Sequence, residues 1–158
     1  MLIRFFTALP AALLLTACMG DNGDYIPTDL TLTEVPLVYD GSGDTFLDNG
    51  PKLASIIRSQ QDLDGLMANY PYSPAASVNF ASKQALLVYF PSHTAGLGMV
   101  VDSLKQYDGY AVVNIHYTHL ANHCVVNTVI EGPQLQLFSL PTLVPVYIQE
   151  QAVVVECE

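Results

Sequence analysis

Met99-Val-Val-Asp-Ser-Leu-Lys-Gln-Tyr107, then Asp108-Gly109, then Tyr110-Ala-Val-Val-Asn-Ile-His-Tyr-Thr118: the reading of this stretch decides the fold. An Asp-Gly pair between two arms rich in Val, Ile and Tyr signals a two-residue hairpin. It predicts a type I′ turn, in which both central residues take positive φ. In the second arm Val113, Ile115 and Tyr117 alternate with Val112, Asn114, His116 and Thr118. A period of two sends the two sets to opposite faces of a strand, so this arm reads as half-buried. The flanking chain continues in the same manner. Upstream, Gln84 to Phe90 is an apolar run stopped by Pro91. Downstream, Cys124 to Ile130 and Gln134 to Leu140 read as a second hairpin around Glu131-Gly132-Pro133. Pro145 to Gln149 and Ala152 to Cys157 supply two closing strands. Turns this short favour antiparallel pairing.

One helix interrupts the strands. Lys52 to Arg58 is a short strand with Ile56 and Ile57, after which Ser59 stands as an N-cap with Asp62 three residues on. Leu63, Leu66, Met67 and Tyr70 keep helical spacing, and Pro71 ends the run. One short helix cannot cover both faces of a parallel sheet. The fold class is therefore mainly β, a β-rich α+β chain: an antiparallel sheet, sandwich-like or a partly open barrel, with one short helix.

Before Lys52 the chain changes character. Seven of its fifteen carboxylates (Asp21, Asp24, Asp29, Glu34, Asp40, Asp44, Asp48) precede Asn49. Gly20 to Asp29 reads as a solvated tether. Leu30 to Tyr39 alternates well enough for a strand, and Pro36, lacking an N–H, assigns it to an edge. Asp40-Gly-Ser-Gly-Asp44 and Asp48-Asn-Gly50 offer alternating oxygen ligands. A calcium loop beginning at Asp40, however, needs its bidentate acid where Pro51 stands, and turn residues in solvent account for the same letters.

The first residues carry an address. Met1 to Arg4 starts the chain with a positive charge, and Phe5 to Leu15 is an apolar run too short to span a bilayer and remain there. Leu15-Thr16-Ala17-Cys18 resembles the lipobox of bacterial lipoproteins. The resemblance implies cleavage before Cys18 and lipid on its sulfur and amine; the alternative is an ordinary signal peptide cut after Ala17. Several acyl chains anchor firmly, since each buried CH2 contributes about 0.8 kcal/mol. By the same resemblance, Met19 in place of Asp favours the outer membrane. The expected location is the bacterial cell envelope, with the protein lipid-anchored and facing the periplasm or the cell surface. The organisation follows as a lipoprotein signal peptide over 1–17, a lipidated acidic tether with an edge strand over 18–50, and a β-rich domain over 51–158.

Charge excludes one class of partner. The chain carries a formal charge of −10, and without Arg4 its only basic side chains beyond histidine are Lys52, Arg58, Lys83 and Lys105. No basic stripe exists to displace counterions from nucleic acid, or to dock on anionic headgroups. Lipid, not charge, must hold this protein at a membrane. Of three cysteines the lipobox uses one. Cys124 and Cys157 are an even pair in an exported chain, so a disulfide is expected, and closing a loop of about 34 residues stabilises by roughly 3–4 kcal/mol. From Gly109 to Gln149 the only formal charge is Glu131. Such a stretch is sheet interior, or interior together with a surface made for a partner.

Patterns that would carry catalysis are sparse. His116, His119 and His123 have helical zinc-ligand spacing, but on a strand His116 and His119 point to opposite faces. Gly41-Ser42-Gly43 lacks the spacing of a nucleophile elbow, and Ser92-His93 are adjacent without the geometry of a triad. Neither a phosphate loop nor a dinucleotide fingerprint occurs. Neither cofactor nor enzymatic activity is expected. The loop Ser92 to Met99 is long for a hairpin, and Gly96 and Gly98 let its backbone approach another surface. His93, Gly96, Leu97, Gly98 and Met99 are the candidate partner-binding residues.

The order of elements carries a resemblance. Ser55-Ile-Ile-Arg-Ser59, a short helix, Ser77-Val-Asn-Phe80 and Ala85-Leu-Leu-Val-Tyr89 come first. A glycine-bearing loop, the Asp108-Gly109 hairpin, Cys124-Val-Val, Leu137-Phe-Ser-Leu-Pro141 and Pro145-Val-Tyr-Ile148 follow. From about Lys52 to Glu158 this resembles the PrcB C-terminal-domain family, named for a lipoprotein subunit that stabilises an exported protease. The resemblance implies a non-catalytic lipoprotein that binds or stabilises an exported protein, with a protease among the candidates. A lipoprotein inhibitor of an exported hydrolase, protease or lysozyme, is the alternative; the acidic balance suits a basic enzyme.

Overall fold

The structure, a computed structural model, describes residues 26–41, 51–91, 93–94, 98–121, 123, 130–131 and 133–156. In chain order the elements are β1 (Thr28–Leu30), β2 (Thr33–Val35), β3 (Leu37–Tyr39), β4 (Leu53–Ile57), α1 (Gln60–Met67), β5 (Tyr72–Pro74) and β6 (Gln84–Phe90). Then come β7 (His93–Thr94), β8 (Met99–Gln106), β9 (Ala111–Leu120), β10 (Ile130–Glu131), β11 (Gln134–Leu140) and β12 (Val146–Val155). A front sheet runs β1-β8-β9-β12 and a middle sheet β2-β11-β6-β4, with two small ribbons, β3·β5 and β7·β10. The mainly β, sandwich-like expectation is met.

The middle sheet is covered on both faces, and β6 shows how. Leu86 and Val88 face the front sheet, in one cluster with Met99, Leu104, Val113, Ile115 and Leu140. Ala85 and Leu87 face the other way, in a second cluster with Ile57, Leu63, Met67, Val78 and Leu137. A strand buried on both faces needs no alternation, which is why Gln84–Phe90 reads as an unbroken apolar run. Each such fully buried Leu or Ile contributes roughly 1.5–3 kcal/mol.

Helix α1 begins where its cap is. The Ser59 hydroxyl oxygen accepts from the Asp62 N–H at 3.1 Å, and the Ser59 O–H donates to the Asp62 carboxylate at 2.7 Å. Leu63 and Met67, one turn apart, turn toward the middle sheet and are buried.

Four details differ from the sequence expectation. The single edge strand over Leu30–Tyr39 is three short strands: β1 edges the front sheet, β2 edges the middle sheet, and β3 pairs with β5. Leu32 packs into the cluster between the sheets as the chain crosses from one to the other. The hairpin of β8 and β9 is in place, with the Tyr107 N–H donating to the Tyr110 carbonyl at 2.8 Å. Its turn is not type I′, because of its two central residues only Gly109 has positive φ (+81°). A type II turn makes that single demand at its third position. Ile130–Glu131 pairs with His93–Thr94; the rest of the expected strand, 124–129, lies outside the described residues. Finally, the two closing strands are one, β12, and it pairs parallel to β9 from Val146↔Ala111 to Val155↔Leu120. Parallel neighbours need a crossover, and β11 in the middle sheet supplies it.

That crossover is held by a buried amide. Gln84, 2% exposed, donates through Nε2 to the Thr142 carbonyl at 3.1 Å and the Val144 carbonyl at 2.7 Å. Its Oε1 accepts from Arg58 Nε at 3.2 Å. The corner that leads from β11 into β12 is thereby tied to the first residue of β6.

Candidate functional site

The front sheet has an inner face packed on the middle sheet and an outer face that no described residue covers. Alternation assigns the side chains. Ala111, Val113 and Ile115 are buried inward, so Val112, Asn114, His116 and Thr118 stand outward. Register then places Tyr147, Gln149, Gln151 and Val153 of β12 beside them on the same face. None of these eight carries a carboxylate or an ammonium.

A bulge adjusts the neighbouring strand. The β8·β9 register shifts between Val101 and Ser103, so Asp102 is the extra residue. Bulges bend a strand and re-aim side chains. Here both carboxylate oxygens of Asp102 come within 2.7 Å of His116 Nδ1. Next to it, Asn114 Nδ2 donates to Ser103 Oγ at 3.0 Å. Lys105 lies opposite Asp29 in the β1·β8 register. The two carboxylates at this face thus each have a neighbour, the His116 ring for Asp102 and Lys105 for Asp29.

Aromatic rings occupy one end. Tyr107 and Tyr110 stack with centroids 4.9 Å apart and planes at 4°, and Tyr147 meets Tyr110 edge-on at 5.9 Å. Tyr147 is 61% exposed and Tyr110 38%. Rigid, amphipathic rings are what protein interfaces are rich in.

The one charged side chain of β12 has its own partner. Lys52, entering β4, pairs with Glu150 and sits 3.8 Å from the centre of the Tyr117 ring. Partial burial alone would lower the Lys52 pKa, but the Glu150 carboxylate and Tyr117 outweigh it and the pKa is raised.

The residues singled out from sequence are dispersed. Gly98 is a seat for β9: its N–H donates to Thr118 Oγ1 at 3.0 Å and its carbonyl accepts from the Thr118 N–H at 2.9 Å. Met99 is corrected as a partner contact. It is 1% exposed in the cluster between the sheets, because it is the first inward residue of β8. His93 contributes backbone to the β7·β10 ribbon. Cys18, Gly96, Leu97, Cys124 and Cys157 lie outside the described residues, as does the 42–50 part of the acidic loop. His116 pairs with Asp102, whereas His123 Nε2 lies 3.3 Å from Glu156. Among the described residues no three His, Cys, Asp or Glu side chains come together as metal ligands. A groove of about 380 Å³ beside β3 and β11 is lined by Glu34, Leu37, Tyr72 and residues 133–136. Among the described residues that line it, Glu34 is the one carboxylate and none is a base.

Sequence reasoning found half of the outer face, in the alternation of Val112 to Thr118. It missed Tyr147 and the rest of β12, since which face a strand shows depends on a pairing that crosses the sandwich. Comparison of the chain with protein-family models, with curated proteins and with solved structures finds no match in any of the three.

Proposed function

We propose that this chain is a non-catalytic, lipid-anchored protein of the bacterial cell envelope that holds an exported protein partner on the outer face of its front sheet. The observation that carries this reading is the outward row of β9 and β12, free of carboxylates and ammonium groups, with the Tyr107, Tyr110 and Tyr147 group at its end. Elsewhere the acidic excess holds other surfaces apart; the eight side chains of this row add nothing to it. The lipobox-like Leu15-Thr16-Ala17-Cys18 supports the anchor. Lipid on Cys18 sits ten positions before Thr28, the start of β1, and ten residues reach at most about 35 Å. The front sheet thus stands close to the bilayer, where an exported partner is met. The likeness to the PrcB C-terminal-domain family supports an exported protease as the class of partner. The even pair left by the lipobox, Cys124 and Cys157, supports a disulfide between them in an exported chain.

The test is recovery of a partner by the tagged full-length chain from membranes. One exported protein should co-purify, and Tyr110→Ala with Tyr147→Ala should cut its recovery about tenfold, the equivalent of 1.4 kcal/mol. Asp64→Ala, on the exposed side of α1, should leave recovery unchanged. Full recovery with both tyrosines removed would rule out this face.

A further inference from the structure

The outer edge of β12 makes a second, separate demand. The ladder to β9 ends in two bonds: the Ala111 N–H donates to the Pro145 carbonyl at 2.8 Å, and the Ala121 N–H to the Val155 carbonyl at 3.0 Å. Residues of a strand alternate in the side to which they turn their backbone groups. Tyr147, Gln149, Gln151 and Val153 therefore bond β9, while Ile148, Glu150, Ala152 and Val154 point their N–H and C=O groups away. Among the described residues no strand pairs with that side.

Monomeric proteins blunt such edges with proline, lysine, bulges or brevity. β12 has ten residues without proline, glycine, lysine or a register shift. Every residue from Gln149 to Val155 is exposed, Val154 at 52%. Its only charge, Glu150, is neutralised within the molecule by Lys52.

We infer that β12 pairs antiparallel with β12 of a second copy, across a two-fold axis at Gln151, joining two front sheets into one of eight strands. The sequence of the strand is self-complementary in that register. Gln151 faces itself, Glu150 faces Ala152, Ile148 faces Val154 and Tyr147 faces Val155. The outward-turned Ile148, Glu150, Ala152 and Val154 then meet each other in hydrogen-bonding pairs, which make about eight N–H···O=C bonds. Centring the axis on Glu150 would set two carboxylates opposite each other, which destabilises. Centring it on Ala152 shortens the pairing to Gln149–Val155. The axis at Gln151 avoids both, and an isologous interface needs this self-match.

A cysteine scan of the full-length chain in its own membranes tests the inference. At the axis, Gln151→Cys brings two thiols opposite each other within disulfide reach, Cα atoms about 4.5–5.5 Å apart. Gln149→Cys leaves them about 14 Å apart, four residues along the strand. Mild oxidation should give a dimer from Gln151→Cys well above the wild-type background and none from Gln149→Cys. Adding Ala152→Pro to Gln151→Cys removes an N–H that β9 does not use and should abolish the dimer. No dimer from Gln151→Cys, equal dimer from Gln149→Cys, or an adduct with a different protein would each overturn the inference. Loss of partner recovery on the tyrosine face is a separate readout and leaves this one unaffected.

Discussion

Replacing Gln84 with methionine keeps the volume of the side chain and removes both hydrogen-bonding ends. Gln84 Nε2 satisfies the Thr142 and Val144 carbonyls at 3.1 and 2.7 Å, and Thr142 is itself 5% exposed. An apolar replacement leaves two carbonyls desolvated without a donor, at about 1–1.5 kcal/mol each. Arg58 is exposed, so water replaces its bond to Oε1 at little cost. The sum is roughly 2–3 kcal/mol. With a urea slope of about 1.5 kcal/mol/M, the midpoint should fall by roughly 1.3–2 M. The chain has no tryptophan and nine tyrosines, so far-ultraviolet circular dichroism and tyrosine fluorescence are the probes. Hydrogen exchange adds a local readout: amides of β12 should lose protection before those of β6, because the amide holds the corner that delivers β12. A midpoint within about 0.3 M of wild type, or uniform loss of protection, would refute the clamp.

Gly109→Ala should cost about 1–2 kcal/mol in the same melt. The φ of +81° disfavours any side chain, while nothing lies within 4 Å of the added methyl, so a larger loss would point to packing instead. Alkali should destabilise the protein from about pH 10 upward. Burial, with Tyr89 beside it, raises the Tyr70 phenol above its ordinary value of 10.0. The unfolded chain therefore ionises first, and the stability present below pH 10 is lost as pH rises through the folded-state pKa. Tyr70→Phe should flatten the fall in Tm between pH 9 and 11; an unchanged slope would contradict the assignment. Reduction of the proposed Cys124–Cys157 bond should lower Tm by about 10 °C, from roughly 3 kcal/mol of lost loop constraint. A melt indifferent to reductant would dismiss the pairing.

Much of the fold is written locally. Ser59 and Asp62 mark the start of α1, Gln84–Phe90 and Gln134–Leu140 stand out as strands, and Val113 and Ile115 identify the inward face of β9. What escapes a linear reading is set by contacts far along the chain. Gln149-Glu150-Gln151 looks like a break between two strands, yet an edge strand tolerates polar residues, and Lys52, ninety-eight positions away, answers Glu150. Parallel pairing of β9 and β12 follows from the crossover through β11, which no local signal announces. Pro36 correctly indicates an edge, but the transfer from one sheet to the other at Leu32 is a property of the sandwich. Met99 looked available beside two glycines; the parity of β8 turns it into the core. Of the candidate site, the polar row on β9 was legible, and the tyrosine group was not, because Tyr147 reaches Tyr110 only after β12 has come back to the front sheet.

The central claim is that the outer face of the front sheet is occupied by protein in the cell. A photo-crosslinking residue placed at Tyr147 in living cells, compared with one at Asp64, addresses it most directly. The expected result is an adduct with one exported protein from position 147 and none from 64. A lipid or glycan adduct at 147, no adduct there, or the same products from both positions would contradict it.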